Sequence, residues 1–299
     1  MSSRETSNVI VPSPVHGARA AVAVLFALIV CGVFSDAWGQ AAAPSRRADP
    51  ATCDRAGFQL AVDVGHSAEV GGARSARGVS EYEFNLRLAK QIVGALSERG
   101  FAGTSLLIST DPPRAGLIKR AERANRLAAD LFLSIHHDSV PNKFIEKWEF
   151  DGEQYGFSDR FSGHSIFISN DNADRKGSLQ FGQSLGQELK TRGLQYAPHY
   201  TEPFMGNRRR QLVDAAVGVY RFDQLVVLRQ TRMPAVLLEA GSIINRDEEL
   251  ELRFPERRML ITESVADAVA GFCALPSRTN TAAARVQRAG SPKRLPPGR

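Results

Sequence analysis

From Phe58 onward, short apolar runs alternate with amphipathic stretches, and the runs are apolar at consecutive positions instead of every second one. This pattern constrains the fold most. A strand that is apolar on both sides has to be covered on both sides, which places it in a mostly parallel, twisted sheet between helices. The expected strands are 59–64, 105–109, 131–135, 165–169 and 235–238. The expected helices are 81–98, 117–129, 174–192, 246–252 and 255–273. Ser80 serves as N-cap of the first, Gly100 closes it, and Pro255 suits the first turn of the last. With no internal repeat and no second domain in view, the reading is a single α/β domain over 58–275.

Sheets of this class take their ligands at the carboxyl ends of the strands. His66 follows the first strand and His136 the third, while Glu239 ends the last and Glu81 opens the helix after the first. All four are thereby delivered to one edge. Two imidazoles and a carboxylate are a ligand set for catalytic zinc, and a further carboxylate can act as its base. Taken singly, each residue has a plainer explanation. A histidine on a turn is common, Glu83 competes with Glu81, and His137 competes with His136. Glu239 is harder to explain away, because a carboxylate ending an apolar strand is costly unless it is paired or bound to a cation.

An ordered set of short motifs sharpens this. Asp63-Val64-Gly65-His66 is followed by Gly72-Ala73 and by Gly78-Val79-Ser80-Glu81-Tyr82-Glu83-Phe84-Asn85-Leu86. Next come Arg120 to Arg126 (R-A-E-R-A-N-R), Ala129-Asp130, Ser134-Ile135-His136, and Pro234-Ala235-Val236-Leu237-Leu238-Glu239-Ala240-Gly241 with Asn245. Over residues 58–272 the set resembles the zinc-dependent N-acetylmuramoyl-L-alanine amidases of the amidase-3 family. The resemblance implies zinc ligands at His66, Glu81 and His136, with Glu239 as the catalytic carboxylate. It also implies hydrolysis of the amide between N-acetylmuramic acid and the L-alanine of the peptidoglycan stem peptide, by zinc-activated water with a Glu general base. It selects His136 over His137, which becomes a structural or supporting residue, and Glu81 over Glu83. Val64 stands where the family has Pro, Ser67-Ala68 replace a glycine pair, and Ser242 replaces a common aromatic. Some members carry an inhibitory segment in the region equivalent to 141–163, so this acidic, aromatic connection is expected to cover part of the cleft, and an activator protein is an expected partner. His164 and His199 are expected at the surface or in the cleft, not as ligands. Arg208–Arg210 fit either an acidic stem peptide or a solvated charge run.

The ends of the chain carry separate information. Residues 1–39 run from a polar start with Arg4 and Arg19 through the apolar stretch 20–33 to small residues near Ala37, the order of a secretory signal peptide. The apolar stretch is short for a span, so the expectation is a cleaved leader, not an anchor. Val30 before Cys31 argues against lipid attachment. Residues 40–57 read as a linker. The formal charge of +6 resides in a tail over 276–299, where Arg278, Arg285, Arg288, Lys293, Arg294 and Arg299 stand without acids. That composition predicts disorder. Export directs the protein to the periplasm or beyond, next to peptidoglycan and away from nucleic acid. Cys53 and Cys273 would pair there and tie the two ends of the domain together. A metal-holding wall-binding protein without turnover, and a zinc peptidase of other specificity, are the competing functions.

Overall fold

The computed structural model describes residues 53–276, so the leader, most of the linker and the basic tail lie outside the described residues. The elements in chain order are β1 (Leu60–Val64), α1 (Glu81–Glu98), β2 (Thr104–Leu107), α2 (Pro113–Arg126), β3 (Leu131–Asp138), β4 (Glu146–Phe150), β5 (Glu153–Phe157) and β6 (Ser165–Ile168). They continue with α3 (Arg175–Thr191), β7 (Gln211–Asp214), β8 (Val219–Arg221), α4 (Val226–Arg229), β9 (Ala235–Ser242), α5 (Arg246–Arg253) and α6 (Pro255–Cys273). Seven strands form one sheet in the order β2-β1-β3-β9-β6-β8-β7. The pairs β1–β2, β1–β3, β3–β9 and β6–β8 are parallel, while β6–β9 and β7–β8 are antiparallel. The expected α/β class with a mostly parallel sheet is therefore observed.

Consecutive apolar residues fill both faces, as the sequence pattern requires. Val62, Val64, Leu133, Ile135, Val236 and Leu238 pack under α1, α3 and α6. Their alternates Ala61, Phe132, Ala235 and Leu237 pack with Ala124 of α2, Val227 and Leu228 of α4, and Tyr200. Helix α1 starts where expected. Ser80 accepts from the Glu83 amide and its hydroxyl donates to the Glu83 carboxylate, a reciprocal cap that accounts for Glu83 without a metal. Helix α2 begins earlier than 117 because Pro113 supplies the fixed φ of a first turn. β9 runs on to Ser242 and β3 to Asp138, so His136 and Glu239 sit inside paired strands instead of at their ends.

Residues 141–163, expected as an irregular connection over the cleft, contain the hairpin β4–β5, which forms its own two-stranded sheet. Its contacts run to the loop before α1. Trp148 donates to the Ala76 carbonyl at 2.7 Å, and Arg77 and Arg246 stack over the Trp148 ring. Among the described residues no helix is long and apolar enough to cross a membrane.

Cys53 and Cys273 are joined, with their Cα atoms 5.2 Å apart and 220 residues between them in sequence. Closing so long a loop removes denatured-state freedom on the order of 3–5 kcal/mol in chain-entropy terms. Replacing both cysteines by serine is expected to lower unfolding stability by a few kcal/mol, measured as a lowered urea midpoint, with a slope that steepens as the denatured state expands. A midpoint that does not move, in the double variant or under reductant, would contradict the linkage.

Candidate metal centre

The site is assembled at the carboxyl edge of the sheet, on the α2 side. In β3 the side chains alternate, so His136 and Asp138 share one face while His137 points to the other. His137 is buried under α1, where its Nδ1 lies 2.7 Å from Asn85 Oδ1 and its ring packs on Phe84. Burial holds it down to about 3, so it stays a neutral imidazole. The structure thus separates the two adjacent histidines by strand alternation.

His66 is presented differently. It takes φ 66°, in the left-handed region that few non-glycine residues occupy. Local bonds hold it there. The Arg120 guanidinium donates to the His66 carbonyl, and the Ser67 amide and hydroxyl close a turn with Val70. Arg120 is itself buried beside Asp63, its Nε 3.7 Å from Asp63 Oδ1, and Asp63 accepts from the Ser134 hydroxyl at 2.8 Å. Asp63 and Arg120, both legible as motif residues, act through the His66 backbone.

Glu81 completes the group. Its carboxylate oxygens face one imidazole each, with His66 Nε2 to Oε2 at 3.0 Å and His136 Nδ1 to Oε1 at 2.9 Å. The Ala73 amide donates to Oε2 at 3.1 Å and Asn85 Nδ2 to Oε1 at 3.3 Å. Burial alone would raise this carboxyl, but the bonds to His136 and His66 outweigh it and hold the group well below the usual range, ionised. The donor atoms of His66, Glu81 and His136 all lie within 4.8 Å of one another, so one ion can be held among them. Two glycines make the approach feasible. A Cβ on Gly65 would stand 2.5 Å from the His136 ring, and one on Gly72, at φ 75°, would stand 2.6 Å from both Glu81 Oε2 and the His66 ring.

Glu239 pairs in register with His136 across β3–β9 and with Ser165 across β6–β9. Its Oε2 is sealed from solvent with no hydrogen-bond partner. Burial raises its pKa well above the usual value, and the carboxylates of Asp138 and Glu81 add to this against the opposing charge of Arg208. Asp138 was not singled out from sequence, although its position two residues beyond His136 puts it on the same face. It accepts from the Tyr200 hydroxyl at 2.6 Å, with Arg208 Nη2 at 3.8 Å, and burial pushes it up to about 6.

The arginine run divides. Arg208 faces Asp138, Arg209 donates to the Thr201 carbonyl, and Arg210 stacks on Phe222. His199 is buried, with Nε2 3.9 Å from Asp138 Oδ2, so it borders the site. His164 is also buried, against the alternative of a surface position, and its main chain bonds to Gln195 and Ala197. Neither belongs to the donor group of His66, Glu81 and His136.

Comparison with known proteins identifies the family and the fold. Residues 60–271 match the family model described as N-acetylmuramoyl-L-alanine amidase. The endolysin of Bacillus phage SPP1 is 26% identical over 227 residues, covering 76% of this chain and 70% of its own. The probable cell wall amidase LytH of Staphylococcus aureus is 24% identical over 215 residues, 71% of this chain but only 57% of LytH. This chain therefore spans little more than half the length of that relative. Among solved structures, an N-acetylmuramyl-L-alanine amidase from Mycobacterium smegmatis superposes with a TM-score of 0.55 at 20% identity, over 73% of this chain and 97% of the other. At that identity the likeness is one of fold.

The geometry predicts that the protein takes up one divalent ion, and that His136→Ala abolishes uptake while His137→Ala does not. Gly72→Ala is expected to weaken the affinity by roughly tenfold or more, the scale seen when residues that support metal ligands are disturbed. Equilibrium competition with a chromogenic chelator measures all three. Equal loss in the two histidine variants would contradict the assignment.

Proposed function

Because the chain belongs to the N-acetylmuramoyl-L-alanine amidase family, we propose that it cleaves the amide between the lactyl group of N-acetylmuramic acid and the L-alanine of the stem peptide. In this reading His66, Glu81 and His136 hold zinc and Glu239 moves the proton. The observation that carries it is a donor group of two imidazoles and one carboxylate beside a buried, unpartnered carboxylate oxygen. Two nitrogens and one oxygen suit zinc and leave a coordination position open, as catalytic sites require. Zinc bound there supplies Lewis acidity, which eases deprotonation of water and polarises the amide carbonyl.

The remaining steps are assigned to side chains of this chain. The Glu239 carboxylate accepts the proton of the attacking water as the new carbon–oxygen bond forms. Burial and the neighbouring carboxylates raise its pKa, which makes it a better acceptor than an exposed glutamate. When the carbon–nitrogen bond breaks, Glu239 returns that proton to the departing amine. Asp138, bonded to Tyr200, and Arg208 set the electrostatic surroundings of that transfer.

Action in the cell envelope belongs to the same reading, with delivery to the wall falling to the cleft, the basic tail or a partner protein. The competing reading, a wall-binding protein that keeps the metal without turnover, makes no use of Glu239. Glu239→Gln is therefore expected to retain zinc at wild-type stoichiometry while lowering kcat on a soluble muramoyl peptide by about 10²–10⁴. Chelation should abolish wild-type activity and added zinc restore it. Wild-type turnover in the Gln variant would reject Glu239 as the base. A zinc-loaded wild type that binds but never cleaves would favour the binding protein.

A further inference from the structure

A cavity of about 160 Å³ opens directly beside the rings of His66 and His136, between the turn that follows His66 and the start of α2. Val70, Pro113 and Leu117 give it apolar walls, and Val70 is 45% exposed, although a valine on a loop gains nothing from facing water. Most polar side chains at its border already have protein partners. Arg120 is held by Asp63 and the His66 carbonyl, Asp111 by Lys119 and Arg123, and the Ser67 hydroxyl accepts from the Val70 amide. An acetamido or carboxylate group placed against the Val70, Pro113 and Leu117 walls would lose water and gain few partners, a net cost. An aliphatic group would bury its surface at no such penalty. A cavity on the order of 150 Å³ has room for a benzene-sized group, so the space exceeds what one methyl needs.

Resting on the amidase reading above, we propose that this cavity seats an apolar substituent on a carbon flanking the scissile amide. It gives the enzyme tolerance there for side chains up to about isobutyl size, beyond the alanine methyl named by the family. Two carbons flank that bond, the lactyl α-carbon on the acyl side and the α-carbon of the first residue on the amine side. They share the same chemistry, a short branched or unbranched alkyl group, and substrate variants separate them.

The experiment uses the zinc-loaded protein and three soluble muramoyl peptides. One is the parent, one carries L-leucine in place of L-alanine, and one carries an isobutyl group in place of the lactyl methyl. Wild type is expected to cleave one enlarged substrate within about threefold of the parent in kcat/KM. Val70→Trp and Leu117→Trp, which fill the cavity from two sides, should then lower that substrate's kcat/KM by roughly tenfold or more relative to the parent, the scale by which an alkyl pocket discriminates. The enlarged substrate so affected identifies which flanking carbon the cavity serves. Val70 is exposed, so its replacement carries little folding risk, and retained zinc checks both variants. Ile118→Trp, on the exposed face of α2 outside the cavity, should leave the ratios unchanged. Loss of both enlarged substrates by more than tenfold in the wild type overturns the proposal, as do unaltered ratios in both cavity variants. Failure to cleave the parent overturns the amidase reading, and the proposal with it.

Discussion

The structure turns on one carboxylate facing two imidazoles. Glu81 gives one oxygen to His66 and the other to His136, and nearly every irregular feature nearby serves that arrangement. His66 is held in a left-handed conformation by Arg120, itself anchored on Asp63. Gly65 and Gly72 leave out the Cβ atoms that would collide with the rings and the carboxylate. Asn85, one helical turn beyond Glu81, bonds Glu81, the Gly65 carbonyl and His137 together, so the adjacent histidine braces the site from beneath. The hairpin contributes at longer range, packing Trp148 and Tyr155 against the loop at Ala76 and Gly78 that leads into α1.

Electrostatics give the same answer by a separate route. Burial raises both Asp138 and Glu239, the Glu81 carboxylate adds to both, Asp138 adds further to Glu239, and the Arg208 guanidinium opposes each. Enclosed carboxylates without compensation are expensive. The raised values of Asp138 and Glu239 express that cost, and a cation among the donors of His66, Glu81 and His136 would offset it.

Most of this was legible where the chain obeys simple periodicity. Consecutive apolar residues identified the doubly covered strands, and Ser80 marked the start of α1. The positions of His66, Glu81, His136 and Glu239 relative to those elements were enough to place them on one edge. What escaped were features set by tertiary pairing. The register of His136 with Glu239 extends both strands beyond their apolar runs, so their polar ends read as loop. The hairpin alternates for only two aromatics in each strand, Trp148 and Phe150 in β4 and Tyr155 and Phe157 in β5, and β7 and β8 are only 4 and 3 residues long. The environment of Asp138 depends on Tyr200 and Arg208, more than sixty residues away, and no local pattern announces such a meeting.

If this site hydrolyses the muramoyl–alanine amide, the products of whole-wall digestion reveal it. Purified peptidoglycan treated with the zinc-loaded protein would be analysed by mass spectrometry of the soluble and residual fractions. The account predicts released stem peptides with a free amino-terminal alanine, left beside glycan strands whose muramic acid carries an unsubstituted lactyl carboxylate. New reducing sugar ends, or fragments cut between residues of the stem peptide with the muramoyl linkage intact, would contradict it.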